Sequence, residues 1–463
     1  MSSQAFFTAT ELAEATCGKW LNGIVPAGEF TLNTDSRTIQ AGECFIPIAG
    51  ERFNGHDFLD KLPPGTVALT HQKVSSKLDL PLLQVLDTTL AYQALARFHR
   101  QRMKQLKICA VTGSVGKTSV KEMLRAIFTE AAGAEAVLYT LGNTNNQIGV
   151  PQNLLRLTDN IRYAVIEMGS NHHGEIAPLS LCALPDAAII NTIAPCHLEN
   201  LGDLNGVAKE KSHVFDGMPE SGIAIYPDTC AGRDIIAQAA QKYINISFGK
   251  SGSADVSAEY LQGSLNGSEV RLFFRKSGEQ HTFTWELAGE HQAVNASAAA
   301  AAAQALGIAP EVIARGLSRT ELPGKRMNSV KINNCIWIND AYNANPQSMK
   351  SSLECIKGNL TSDQPLLLVL GDMLELGEDE LRYHAEILDF VQQNFAGFSA
   401  CRLFLLGSRF AQAAQMQSNR TISTEVFSTL EELQSALQRI PKNGFTVFLK
   451  SSNSIGLSKV EPC

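Results

Sequence analysis

Ten cysteines stand singly in the 463 residues, with no CxxC pair and no dense framework, which excludes a disulfide scaffold and fits a reducing cytosol. No apolar run approaches the roughly 20 residues of a membrane span. The opening MSSQAFFTATEL lacks the basic and apolar regions of a secretory signal, so a cytoplasmic protein with no membrane insertion is expected. Basic residues are not in excess: 39 Lys+Arg against 46 Asp+Glu leave a net charge of −7, which argues against a nucleic-acid partner held by a broad basic surface. What is present, 44% apolar and 18% charged residues, suits several packed cores, and the length predicts two to four domains.

Three segments separate by pattern. The first, residues 1–103, has short extended runs (ECFIPIAG, GTVALTH, LPLLQVLD) and closes with the helical stretch TLAYQALARFHRQRMKQLK. The bases of that stretch, among them Arg97, Arg100 and Arg102, are read as a solvated face rather than an anion site. In residues 104–320 apolar strand runs alternate with helical ones (KICAV, YAVIEMG, DAAIINTIA, GIAIYPD), predicting a parallel sheet covered on both faces. Runs between 254 and 287 look antiparallel and are read as a small appended sheet. The Ala-rich NASAAAAAAQALG predicts a helix. Residues 321–463 form a third α/β unit of Rossmann-like pattern, with Asn333-Asn334 a candidate hairpin turn. The fold class expected is α/β in three domains.

The strongest local signal is ICAVTGSVGKTSVKEML, residues 108–124. A strand runs into Thr112-Gly113-Ser114-Val115-Gly116-Lys117-Thr118-Ser119, and a helix follows. Glycines let successive N–H groups face phosphate oxygens, the helix N-terminus adds positive potential, Lys117 reaches the β- and γ-phosphates, and the Thr118 hydroxyl suits Mg²⁺. The spacing departs from GxxxxGK[ST], whose first Gly would fall at Val111, but the context predicts binding of ATP or GTP. Glu167 ends YAVIEMG, and a parallel strand delivers its last residue to the ligand crevice. His197 stands at the equivalent place after DAAIINTIA. Lys209 and Lys211 follow on a helical stretch. His291 and Asn295, four apart, share one face of a helix start. Asp340, Tyr342, Asn343 and Asn345 precede another helix, and Asp372, Glu375 and His384 gather at a further strand end, where capping and turn chemistry are sufficient reasons for them.

Taken together, NTDSRTIQAGECFIPIAGERFNGHDF, TGSVGKTSVKE, LGNTNNQIGVPQNLL, VIEMGSNHHGEIAPL, NTIAPCHLENLGDLNGVAKEK, GEHQAVNASAAAA, LPGKRM, DAYNANPQSM and VLGDMLELGEDELRYHAE resemble the Mur ligase family over residues 30 to 450. The resemblance implies a UDP-sugar-peptide-binding domain, a central ATPase and a C-terminal domain that closes over the site. DAYNANP, GDMLELG and GNTNNQIGVP favour, within the family, the ligase that joins D-alanyl-D-alanine to UDP-MurNAc-tripeptide, expected to act as a monomer. Carried over by position, Thr118 and Glu167 would hold the nucleotide's Mg²⁺. His197 would hold a second Mg²⁺ together with a carbamylated Lys211, for which Lys209 is the alternative. The resemblance places His291 and Asn295 at adenine, Arg326 and Asp340 at the C-terminal side of the nucleotide, and Ser36 and Arg37 at the uridine diphosphate. It places Asn143, Thr144, Asn145, Asn146, Tyr342 and Asn343 at the peptide substrates. One departure stands out: Lys450-Ser451-Ser452-Asn453 replaces the family's Lys-Gly-Ser-Arg. A sibling ligase taking a single amino acid, a non-catalytic nucleotide-binding module and a P-loop ATPase acting on proteins stay open as alternatives.

Overall fold

A computed structural model describes residues 5–50, 53–73, 79–250, 252–324, 327–332, 334–417, 421–441 and 444–462. Three sheets succeed one another along the chain. The first runs in the order Phe7–Thr8, Glu29–Asn33, Glu43–Phe45, Val67–Thr70, Leu82–Gln84, Lys19–Trp20, with four parallel strands between antiparallel edges. The helix Thr88–Arg102 leads out of it, and Tyr92, Leu95 and Ala96 join one apolar cluster with Val150 and Leu179 of the next domain.

The basic face of that helix is solvated only in part: Arg97 is exposed as its sequence suggests, but Arg100 and Arg102 are not free in water. Arg100 pairs with Asp186 at 3.3 Å and Arg102 with Glu11 at 2.6 Å, while Arg102 also lies over the rings of Phe7 and Phe98. These two cations found acidic partners distant in sequence: the Arg100 pair ties the first domain to the second, and the Arg102 pair holds within the first.

The central sheet has nine strands, in the order Glu279–Trp285, Gly267–Phe274, Val256–Ser264, Ile244–Gly249, Ile223–Pro227, Ala187–Ile190, Lys107–Thr112, Tyr163–Glu167, Val137–Tyr139. Its last seven are parallel, and the antiparallel strands are continuous with them through Phe248↔Val256 and Gly249↔Ser257. The appended strands therefore widen the parallel sheet. The helix Glu290–Ala305 is covered on every side, with Ala293 and Ala298–Ala303 all at 1% exposure or less. Alanine is small enough to let the backbone approach both the sheet and the helix Lys117–Ala132, which is why an Ala run serves here as core.

The third sheet runs Asn328–Ile332, Cys335–Asn339, Thr446–Lys450, Leu366–Gly371, Cys401–Leu406, Ser423–Phe427, parallel except for the hairpin at its edge. In that hairpin Asn334 takes a positive φ of 62°, and Asn333 lies outside the described residues. The nine described cysteines are free, most of them buried. No helix among the described residues is long and apolar enough to cross a membrane.

Candidate active site

The strand Lys107–Thr112 lies between Tyr163–Glu167 on one side and Ala187–Ile190 on the other, so strand order reverses at it. In an open parallel sheet such a switch point opens a crevice at the carboxyl ends of the strands. Here it delivers the loop 113–116, Glu167 and Asn191 to one place. Gly116 has φ 80°, and a Cβ on it would lie 2.2 Å from Asn191 Nδ2 and 2.5 Å from Asn295 Oδ1. Both conformation and space demand glycine. Gly116→Ala should cost about 1–2 kcal/mol in backbone conformation alone and push Asn191 off the loop. A rise of the ATP KM by at least about tenfold, with a lower urea midpoint, is the expected result; an unchanged KM would show that the loop does not meet the nucleotide.

Behind the loop, Asn191 Nδ2 donates to the Val115 carbonyl at 2.9 Å and to Asn295 Oδ1 at 2.8 Å, and Asn295 Nδ2 donates to Gln292 Oε1 at 3.0 Å. Asn295 thus lines the cleft with both ends of its amide engaged. Ser114 is pinned by its N–H to the Thr192 carbonyl at 2.6 Å and by its hydroxyl to the Ala194 carbonyl at 2.9 Å. Lys117 Nζ donates to the Gly113 carbonyl at 2.6 Å, folded over the loop it would share with a phosphate.

Glu167 is 2% exposed, and neutral donors meet its carboxylate: Thr118 Oγ1 at 3.1 Å and Asn145 Nδ2 at 2.9 Å. A buried anion held by neutral donors beside a hydroxyl is a hard-oxygen set that suits Mg²⁺. Among the described residues no three His, Cys, Asp or Glu side chains converge as a cation cage, so phosphate oxygens would have to complete such a site. Lys211, 1% exposed, donates to Ser170 Oγ at 2.7 Å, whereas Lys209 on the same helix faces solvent. Burial first, and then the charge of Lys117, bring the Lys211 ammonium down to about 8. Burial also lowers His197 below its usual range; Glu375 pulls it back, while Lys117 and Lys211 add to the lowering.

Most of these groups open onto a cleft of 1480 Å³ between the central and C-terminal domains, whereas Lys211 and Asn191 are buried and do not line it. Residues 114–119, Asn143, Asn145, Asn146, Glu167, His197, His291, Asn295, Asp340, Tyr342 and Asn343 all line it. Burial pushes His291 down to about 4. Asp340 accepts from Lys450 Nζ at 2.5 Å and from Ser352 Oγ at 2.6 Å. Several expected residues are placed elsewhere. Thr112 Oγ1 donates to the Met168 carbonyl in the core, and Thr144 turns inward, its hydroxyl donating to Leu141 O at 2.6 Å and accepting from Asn153. Ser36 and Arg37 lie in the first domain outside this cleft, with the Arg37 guanidinium forked onto Asp35 at 2.7 and 2.8 Å, which holds that carboxyl well below its usual range. Arg326 lies outside the described residues.

Two contributors escaped the sequence reading of the site, Asn191 and Ser170. Lys450 was noted there only within the last-strand motif, and Glu375 only as one acid among several, neither with a role in the site. Asp372 and His384 prove structural. Asp372 accepts from the N–H groups of Arg409 and Phe410 at the start of the helix Ser408–Met416, and His384 Nε2 accepts from the Met373 N–H at 2.9 Å.

The fold and cleft define a three-domain P-loop enzyme whose site is lined by its central and last domains. Two family models match, the Mur ligase middle domain over residues 111–303 and the Mur ligase, glutamate ligase domain over residues 325–453. The chain is 37% identical over 367 residues to the UDP-N-acetylmuramoyl-tripeptide–D-alanyl-D-alanine ligase of Haemophilus influenzae, covering 78% of each chain. It is 33% identical to that of Bacillus subtilis, covering 92% of this chain and 91% of the relative. A crystal structure of MurF from Acinetobacter baumannii superposes with a TM-score of 0.88 at 30% identity, covering 98% of both chains. The chain belongs to the Mur ligase family, in its MurF branch.

Proposed function

We propose that the chain joins D-alanyl-D-alanine to the terminal carboxylate of UDP-MurNAc-tripeptide at the expense of ATP, giving UDP-MurNAc-pentapeptide, ADP and phosphate for peptidoglycan in the cytoplasm. The observation that carries this reading is the cleft itself, which brings the phosphate loop, Glu167 and His197 of one domain against Asp340, Tyr342 and Asn343 of another. The similarity to named ligases along most of the chain supports it.

A carboxylate resists nucleophilic attack because it is anionic and has no leaving group. Transfer of the ATP γ-phosphoryl group makes an acyl phosphate; the dipeptide amine then adds, and the tetrahedral adduct expels phosphate. Phosphoryl transfer needs positioning and charge neutralisation more than covalent chemistry, and the loop N–H groups with Lys117 supply both. Mg²⁺ held by Thr118 and Glu167 would offset charge on the transferring phosphates, and a second ion would sit at His197 and a carbamylated Lys211. The depressed ammonium of Lys211 enlarges the share of neutral amine relative to a free lysine, and the neutral amine is the form that adds CO₂. His291 and Asn295 would flank adenine, and Arg37 would exchange Asp35 for the substrate's diphosphate.

The departure at the last strand does not strain the backbone. Ser451 is fully buried and is not among the residues of positive φ, so the serine fits where the family pattern has glycine. Asn453 is exposed on the cleft wall. Asn453→Arg would place a fixed cation there, and the dipeptide KM should fall by about fivefold while the ATP KM stays within about twofold. Unchanged dipeptide kinetics would show that this position does not meet the dipeptide.

The decisive assay is phosphate release from Mg²⁺-ATP with UDP-MurNAc-tripeptide, with and without D-Ala-D-Ala. Stimulation by the dipeptide, with pentapeptide confirmed by mass, is expected. Stimulation by a single amino acid instead would make the chain a sibling ligase, and no stimulation by any amine would make it a binding module.

A further inference from the structure

Glu375 belongs to the C-terminal domain and His197 to the central one, 178 residues apart, yet His197 Nδ1 lies 2.5 Å from Glu375 Oε2. Nδ1 is thus the ring nitrogen that faces the carboxylate, and Nε2, on the far side of the ring, is left to meet another partner. Both residues are non-glycines of positive φ, 51° for His197 and 64° for Glu375. Left-handed backbone at two side-chain-bearing residues that touch is unfavourable locally and has to be imposed by what surrounds them.

The surroundings do impose it. Leu376, beside Glu375, is 1% exposed, and the Leu374 N–H donates to Ser452 Oγ at 3.0 Å. Gly377 follows with φ 68° and approaches so closely that a Cβ on it would lie 3.3 Å from the Glu199 amide nitrogen. On the other side, the His197 carbonyl accepts from Asn200 and Leu201 N–H groups at 3.0 and 2.9 Å. The turn is thus seated on the short helix Leu198–Leu201 and aims one carboxylate at one imidazole.

Stability does not account for the arrangement. The Glu375 side chain is 50% exposed, and solvent screens such a pair until it contributes little. Asp372 and His384, two other polar groups of this segment, are already used in capping and turn bonds. Glu375 instead meets a residue of the neighbouring domain's site.

We infer that Glu375 is a positioning residue: as the C-terminal domain closes, it locks His197 in the Nδ1–H tautomer and turns Nε2 towards a divalent cation. The inference rests on His197 being a ligand of the second ion, as proposed above. A carboxylate on the far nitrogen of a metal-ligating histidine fixes ring and tautomer and makes the ligand more basic. Here the carboxylate arrives from another domain, so cation affinity at His197 would be high only in the closed enzyme. The second ion would then assemble after substrates have drawn the domains together.

The test is Mn²⁺ binding to the full chain, followed by electron paramagnetic resonance, with a non-hydrolysable ATP analogue and UDP-MurNAc-tripeptide present. Glu375→Ala should weaken the second Mn²⁺ by about tenfold or more and leave the nucleotide-bound Mn²⁺ within about twofold. Glu375→Gln, whose amide oxygen still accepts from Nδ1–H, should recover most of that loss. In turnover, kcat should fall with the ATP KM unchanged. A second-site affinity unaltered in Glu375→Ala overturns the assignment, and a tighter site there would make the pair an occluding latch instead. His197→Ala separates the two levels. If it loses the second Mn²⁺ while Glu375→Ala does not, only the role of Glu375 falls; if it too leaves both ions in place, the reading of His197 falls and takes this one with it.

Discussion

Lys117→Ala should lower kcat by roughly 10³-fold or more, equivalent to about 4 kcal/mol of transition-state stabilisation, in a protein that remains folded. The cation stands at the first position of the helix Lys117–Ala132, where its ammonium bends back 2.6 Å from the Gly113 carbonyl. A positive side chain at a helix N-terminus opposes the helix dipole, so its removal gives back part of what the lost hydrogen bond contributed. The melting temperature should therefore move by no more than a few degrees. Charge on the transferring phosphoryl group, by contrast, loses its one mobile cation in the loop. Binding of UDP-MurNAc-tripeptide, measured calorimetrically without nucleotide, should be unaffected. Near-normal turnover in this variant would mean that phosphate transfer takes place elsewhere.

That site was legible in the sequence to an unequal degree, and the reason lies in where the information resides. The phosphate loop is local: strand, glycines, lysine and helix follow within 17 residues, and each requires only its neighbours. Glu167 and His197 could be placed because a parallel strand always delivers its end to the same side of the sheet. Asn191 could not, since its use depends on Val115 and Asn295, and the latter is 104 residues away. Ser170 gains meaning only from Lys211, and Glu375 only from His197. The reading of Arg100 and Arg102 on the helix Thr88–Arg102 failed for the same reason, because Asp186 and Glu11 are invisible to a helical wheel. Asp372 and His384, for which turn and cap chemistry was a sufficient reason in the sequence, are indeed used that way, since short polar side chains near a strand end serve caps as readily as substrates.

The same contrast between local and assembled information makes Lys211 the sharper test of mechanism. Its ammonium is 1% exposed, with Ser170 as hydrogen-bond partner and the charge of Lys117 nearby. A buried cation with such neighbours is costly, so Lys211→Ala should be close to neutral in stability even though it removes a hydrogen bond. Turnover should nevertheless fall by at least ~100-fold, because the oxygen ligand that a carbamate would supply is gone. Added acetate or formate, entering the space left by the side chain, should restore about a tenth of the lost activity or more if the ligand is a carboxylate. The wild-type enzyme gives the complementary reading. With a folded ammonium value of about 8, lower than a free lysine's, raising the pH from 7 to 9 takes the amine from mostly charged to mostly neutral. Enzyme stripped of CO₂ should then regain activity faster at pH 9 than at pH 7 when dissolved CO₂ is held equal, since only the neutral amine adds it. Failure of both rescue and CO₂ dependence would remove the carbamate and leave Lys211 as a buried cation acting through its charge. The ligation reaction itself would survive that outcome, because it depends on Lys117 and not on what Lys211 becomes.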